Sequence, residues 1–254
     1  MLQRLFLLVL GAAFVATGTV RAADAAPDTN RWESVASLGL TLTRGNSETF
    51  LGTIGVNSQR KWTRDEVFLG ANAGYGENTV TDDGTGEEDT TTTDKYAKAF
   101  GQYNHLFSPH LYGGLRADAQ YDAVAGVDYR VTLSPLLGYY LIKNETTLLG
   151  FEIGPGLVAE NLADQKSDQY ITLRLAQRFE HKFSDKGKVW QSAEYLPRFE
   201  DFGDYVLNAE IGASAAITKT IELRVVLQDT YRSEPPQGRE NNDLKIIAGV
   251  GYRF

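Results

Sequence analysis

The last eleven residues, 244–254, alternate without a break. Counting back from Phe254, the residues Tyr252, Val250, Ala248, Ile246 and Leu244 are apolar, and Lys245, Ile247, Gly249, Gly251 and Arg253 stand between them. Period-two alternation predicts a strand with one apolar and one wetter face. A lone strand leaves its backbone donors and acceptors unpaired, so the rest of the chain must supply partners. It does so by repetition. From Trp32 onward the alternation recurs over about 32–44, 49–62, 66–77, 95–107, 111–122, 129–142, 147–160, 169–183, 188–199, 205–217, 221–231 and 242–254. That is about twelve strands, an even number, each long enough to cross a bilayer core at a tilt near 45°.

The connections sort by length. Those after even-numbered strands are short (63–65, 108–110, 143–146, 184–187, 218–220). Most of those after odd-numbered strands are longer (78–94, 123–128, 161–168, 200–204, 232–241), the exception being the short first loop at 45–48. Short turns on one side and long loops on the other are the pattern of transmembrane barrels, with both termini on the periplasmic side. A closed barrel is also the strand arrangement that pairs every backbone group in hydrocarbon. The fold class expected is therefore all-β, an antiparallel up-and-down transmembrane barrel of about 12 strands. A strand that closes on an aromatic carboxy-terminus resembles the last strand of bacterial outer-membrane barrels. Tyr252 and Phe254 are accordingly read as the insertion signal recognised by the barrel-assembly machinery.

The N-terminus points to the same address. A short cationic start at 1–4, an apolar run over 5–16 and Val20-Arg21-Ala22 predict a cleaved signal peptide over 1–22. Residues 23–30 then form a periplasmic lead-in, and 31–254 the outer-membrane barrel. The mean hydropathy of −0.30 does not oppose this, because inward-facing polar residues offset outward-facing apolar ones. With no cysteine in the chain, stability must come from the hydrogen-bonded ladder. Loss of Arg4 and Arg21 with the signal would take the net charge from −8 to −10. An acidic chain of this kind argues against nucleic-acid binding. Expected partners are outer-membrane lipid and lipopolysaccharide; no cofactor or metal is implied.

Parity assigns the faces. Leu111, Gly113, Leu115, Ala117, Ala119 and Tyr121 share one side of the fifth strand; Arg116, Asp118 and Asp122 share the other. The same rule puts Arg130, Glu152, Arg174, Arg178, Glu180, Glu210, Glu222 and Arg224 toward the lumen, together with Lys98, Glu194, Lys245 and Arg253. Tyr75, Tyr121, Tyr129, Tyr205 and Tyr231 fall near the external ends of the apolar faces. Tyr103, Tyr139, Phe179, Tyr252 and Phe254 fall near the periplasmic ends, so two aromatic belts are expected. Pro135 and Pro155 cannot donate to a ladder and are read as bulge or strand-end sites.

The chain is similar to the salt-induced outer-membrane protein family over about 31–254. The likeness rests on LGLTLTRGNSET at 38–49, LSPLLGY at 133–139 and GPG at 154–156. It implies an outer-membrane barrel with a link to salt or osmotic stress and no catalytic residues.

Three functions remain open. A narrow lumen lined by charges of both signs could pass ions or small solutes with little selectivity, since wide channels need sixteen strands or more. The same side chains could seal the lumen and leave a structural, envelope-integrity role, with surface loops binding divalent cations or lipopolysaccharide. A lipid-modifying enzyme is the third reading. Its histidines would have to be His105, His110 or His181, all beside short turns and away from the external rim, so the chain is read as non-enzymatic. The acidic segment 78–94, with Asp82, Asp83, Glu87, Glu88 and Asp89, lacks the ligand spacing of a calcium loop and is read as a mobile solvated loop.

Overall fold

The computed structural model describes residues 30–43, 47–81, 88–163 and 166–254. The segment 1–22 read as a signal peptide and nearly all of the segment 23–30 read as a lead-in lie outside the described residues, as do Gly45 and Asn46 of the first loop and Asp82, Asp83 and Glu87 of the acidic segment.

Twelve antiparallel strands close into a barrel, each hydrogen-bonded to its sequence neighbours and the first to the last. They are β1 (Trp32–Thr43), β2 (Ser47–Lys61), β3 (Asp65–Thr81), β4 (Glu88–Leu106), β5 (Leu111–Asp122), β6 (Val127–Lys143), β7 (Thr147–Leu162), β8 (Asp168–Ser184), β9 (Gly187–Pro197), β10 (Tyr205–Ala216), β11 (Ile221–Arg232) and β12 (Asn242–Arg253). Among the described residues no helix is long and apolar enough to cross a membrane; the strands carry the architecture. The outward face is apolar around the circumference: Leu38, Ile54, Leu115, Leu157, Ile211 and Ile246 are all exposed. Tyr75, Tyr121 and Tyr129 stand exposed toward the long-loop end, and Tyr103, Tyr139, Tyr252 and Phe254 toward the short-turn end.

Two features depart from the sequence expectation. The first is the β3–β4 hairpin, which continues to Thr81 on one strand and from Glu88 on the other, with pairing from Glu77↔Thr92 to Thr81↔Glu88. Most of what reads as a loop over 78–94 is therefore ladder. The Thr79 and Thr90 hydroxyls also bond across it at 2.9 Å. A strand standing clear of hydrocarbon needs no apolar face, so alternation fades while pairing persists.

The second concerns the prolines. The β6–β7 ladder runs to Leu133↔Leu157, lapses, and resumes at Leu137↔Ile153 in unchanged register. Pro135 faces Pro155 across that gap. Both sit in mid-strand, and each pairs normally on its other side, Leu115↔Pro135 and Pro155↔Leu173. The bulges lie elsewhere, between Gln120 and Asp122, Val127 and Tyr129, and Tyr140 and Ile142. Neither proline has an N–H to give. Gly154 lets the backbones close up there, since a Cβ would overlap the Pro135 carbonyl.

The closing seam is short. β1 and β12 pair over Val35↔Arg253 to Gly39↔Gly249. The Ser34 and Phe254 backbones extend it by exchanging N–H···O bonds of 3.2 and 3.0 Å.

Candidate functional site

The candidate site is the lumen, and its two walls differ. Contacts between strands that are not neighbours can form only through the interior, so they identify the inward side chains directly. The wall from β4 to β10 is filled. Arg174 on β8, 4 % exposed, donates Nε to Glu194 of β9 at 2.6 Å and a terminal N–H to Glu152 of β7 at 2.8 Å. Glu152 also accepts from Gln102 Nε2 of β4 (2.6 Å) and the Tyr112 hydroxyl of β5 (2.9 Å). Arg116 grips Asp118 through Nε at 2.9 Å and reaches Gln102 Oε1 at 3.2 Å. Asn208 of β10 donates to Glu194 at 3.3 Å. One hydrogen-bonded chain thus ties six strands together, and no charge in it stands alone. That matters because an unpaired buried charge is costly.

Below this network, toward the short turns, Leu106, Tyr112, Leu136 and Tyr140 form a buried apolar cluster with Leu148 packed on it. The Tyr140 hydroxyl and Lys143 both bind Glu66, the latter at 2.9 Å. Farther round, Glu210 accepts from Trp190 Nε1 (2.6 Å) and Gln228 (2.8 Å). Arg253 and Arg224 share Glu222, which is completely buried.

The opposite wall, β12–β1–β2–β3, presents Ser37, Gly39, Gly55, Gly249 and the amides Asn57 and Asn72. By parity these point inward, yet Asn57 and Asn72 are exposed. Their exposure is to the interior of the barrel. Around Asn57 and Asn72 the small side chains leave space free; Thr53 and Ile247 close over Gly39, and the larger Lys61, Glu66 and Phe68 stand at the short-turn end of this arc.

Of the residues singled out by parity, Arg116, Asp118, Glu152 and Arg174 meet in the central network. Arg178 and Glu180 lie 3.7 Å apart toward the short-turn end, and Glu210, Glu222 and Arg224 occupy the sites just described. Arg130 pairs with Glu160 near the long loops through Nε at 2.6 Å. Asp122 stays out of the network; its carboxylate caps the following turn by accepting from the Ala125 N–H at 3.0 Å. Glu66, Gln102, Tyr112, Tyr140, Lys143 and Trp190 are central but not evident from charge alone. For all but Lys143 the available signal was their place on the inward parity of their own strands; Lys143 is turned inward by the bulge between Tyr140 and Ile142.

At the long-loop end a cleft of about 190 Å³ is lined by Arg130, Glu160, Tyr170, Arg198, Asp204 and Arg232, among others. Arg198 binds Asp168 at 2.6 Å and Asp204 at 3.4 Å and lies 3.7 Å over the Tyr170 ring. The histidines sit elsewhere. His105 bonds Asp65 at 2.9 Å, and His181 bonds the Thr147 hydroxyl at 2.8 Å. Ser108 is occupied as a turn cap, accepting from the His110 and Leu111 N–H groups at 3.3 and 2.9 Å. Among the described residues no group of three or more His, Asp or Glu could hold a metal ion.

Residues 36–254 match the family described as "Protein of unknown function, DUF481", and the chain belongs to that family. It is 25% identical over 172 residues to "Uncharacterized protein YdiY" of Escherichia coli (strain K12). That match covers 66% of this chain and 65% of the relative, just under two thirds of the relative's length. Among solved structures, the NanC porin superposes with a TM-score of 0.52 at 9% identity, over 87% of this chain and all of that one. The COG4313 outer membrane channel from Pseudomonas putida F1 gives 0.51 at 11% identity, over 92% and 100% of the two chains. At these identities the likeness is one of fold.

Proposed function

We propose that this DUF481 barrel is a non-enzymatic outer-membrane protein whose eccentric lumen passes ions and small polar solutes along the β12–β1–β2–β3 wall. The observation that carries this is the exposure of Asn57 and Asn72 inside a barrel whose other wall is packed. The apolar outward face and its two sets of exposed aromatics support a bilayer location. The sorted turn and loop lengths support periplasmic termini and external long loops, with outer-membrane lipid and lipopolysaccharide around them. Export by a signal peptide over 1–22 and insertion through the assembly machinery, read from Tyr252 and Phe254, complete the proposal. A role in salt stress rests on the sequence resemblance alone.

Planar-bilayer recording on the refolded barrel tests the path. Discrete openings are expected. Asn57→Trp, which fills the open wall, should abolish or strongly reduce them, whereas a matched change at outward-facing Ala97 should not. The packed network favours a second reading, a sealed structural barrel. Silence of the wild-type protein under conditions where it is folded and inserted would establish that one and remove the channel.

A further inference from the structure

The lumen's charges are mixed in number but not in place. At the short-turn end, Glu66 is taken by Lys143, and Glu222 is shared by Arg253 and Arg224. Glu33 accepts from Gln59 at 2.7 Å. What remains is Lys61 on β2, Arg178 and Lys182 on β8 and Lys188 on β9, gathered around Glu180, which is 3.7 Å from Arg178; Lys61 also interacts with Glu66 and Lys188 with Glu222.

Two aromatic rings hold Lys61, Arg178 and Lys188. Phe68 of β3 has Arg178 5.2 Å and Lys61 5.9 Å from its centroid, a contact between β3 and β8 that crosses the interior. Trp190 has Arg224 at 5.0 Å and Lys188 at 5.6 Å. A ring face attracts a cation without accepting its N–H bonds in the plane of a carboxylate, so donors stay available. Arg178 is 47% exposed in its side chain, although it points inward. Elsewhere in the lumen Arg174 is tied to two acids, and Arg116 and Arg130 to one each.

We propose that the short-turn end of the lumen is an oxyanion-binding vestibule, built on the Phe68 and Trp190 rings, that gives the barrel a preference for small anionic solutes over cations. The recognising chemistry is several ammonium and guanidinium donors converging from three strands on one volume, suited to a phosphate- or carboxylate-bearing solute. The vestibule rests on the channel reading for its selectivity but not for its binding, so the two can be tested apart.

In planar bilayers under a KCl gradient, the reversal potential should show a chloride-to-potassium permeability ratio above unity. Lys61→Gln with Lys188→Gln should move that ratio toward unity without abolishing openings. A cation-preferring channel, or a ratio untouched by the double variant, overturns the proposal. If the wild type is silent, the channel reading falls, and a second measurement decides the vestibule. Inorganic phosphate, compared with chloride at equal ionic strength, should raise the thermal unfolding midpoint of the detergent-refolded barrel, and the double variant should lose that increment. An equal increment in both proteins, or none in the wild type, overturns it. Lys95→Gln, on the outward face of β4, serves as the charge control and should change neither readout.

Discussion

The β4–β10 wall and the β12–β1–β2–β3 wall are built from the same strand pattern, yet one is packed and the other is open. On the packed wall, inward positions carry Gln102, Tyr112, Tyr140, Glu152 and Arg174, each reaching a partner on another strand. On the open wall they carry Ser37, Gly39, Gly55 and Asn57 at mid-height, with the larger Lys61, Glu66 and Phe68 confined to its short-turn end. Closure alone therefore does not decide whether a barrel of this size is plugged. The volume of alternate side chains on each arc decides it, and here only part of the circumference is filled.

The comparison should break first at Arg174. Arg174→Met leaves the partly buried Glu152 and Glu194 without their common cation, a loss expected to approach the roughly 3–5 kcal/mol of a broken buried pair. Asn57→Ala on the open wall should cost less than about 0.5 kcal/mol, as surface-like changes do. Urea unfolding of the two refolded variants measures the gap. Equal destabilisation would mean that the walls are not energetically distinct.

Leu115→Arg and Arg116→Leu probe the packed wall's two faces at neighbouring positions of β5. A cation on the outward face near mid-membrane should cost about 2–4 kcal/mol and lower the yield of folded, heat-modifiable protein far more than Arg116→Leu does. Equal tolerance would mean that the face assignment is wrong by one residue.

Glycines sharpen the contrast at smaller scale. A Cβ at Gly138 would overlap the Tyr112 ring, whereas at Gly55 it would meet the Ser37 hydroxyl at 3.0 Å. Gly138→Ala should therefore cost roughly 1–3 kcal/mol by overpacking. Gly55→Ala should be close to neutral, because a hydroxyl can rotate away.

At the two prolines the expected effect has the opposite sign. Pro135→Val with Pro155→Val restores two donors to the β6–β7 ladder. The double variant should unfold at higher urea, by about 0.5–1.5 kcal/mol for each bond regained. A loss of stability instead would show that the close approach at Gly154, and not the missing donors, maintains the gap.

The strands were legible because period two is a local signal, repeated twelve times and checked by the alternating lengths of the connections. Parity likewise puts charges such as Arg116 and Arg174 on one face of their strands without any knowledge of their partners. The partners themselves were not legible. Which inward side chains meet across a lumen depends on the stagger of the strands around the barrel, and that is not written in any one strand. Hence Arg174 could be placed on a face but not between Glu152 and Glu194. Glu66 and Tyr140, 74 residues apart in sequence, could not be joined at all. The outer part of the β3–β4 hairpin was missed for another reason: Thr79 and Thr90 pair as strand residues in a segment whose composition is that of a loop.

The brief β1–β12 contact has a mechanical consequence. Its aligned pairs run only from Val35↔Arg253 to Gly39↔Gly249, the shortest ladder between neighbouring strands among the described residues. A laddered cylinder under lateral pressure yields first along its weakest seam. The wall should therefore hinge beside β1, changing the shape of the bore there before its circumference.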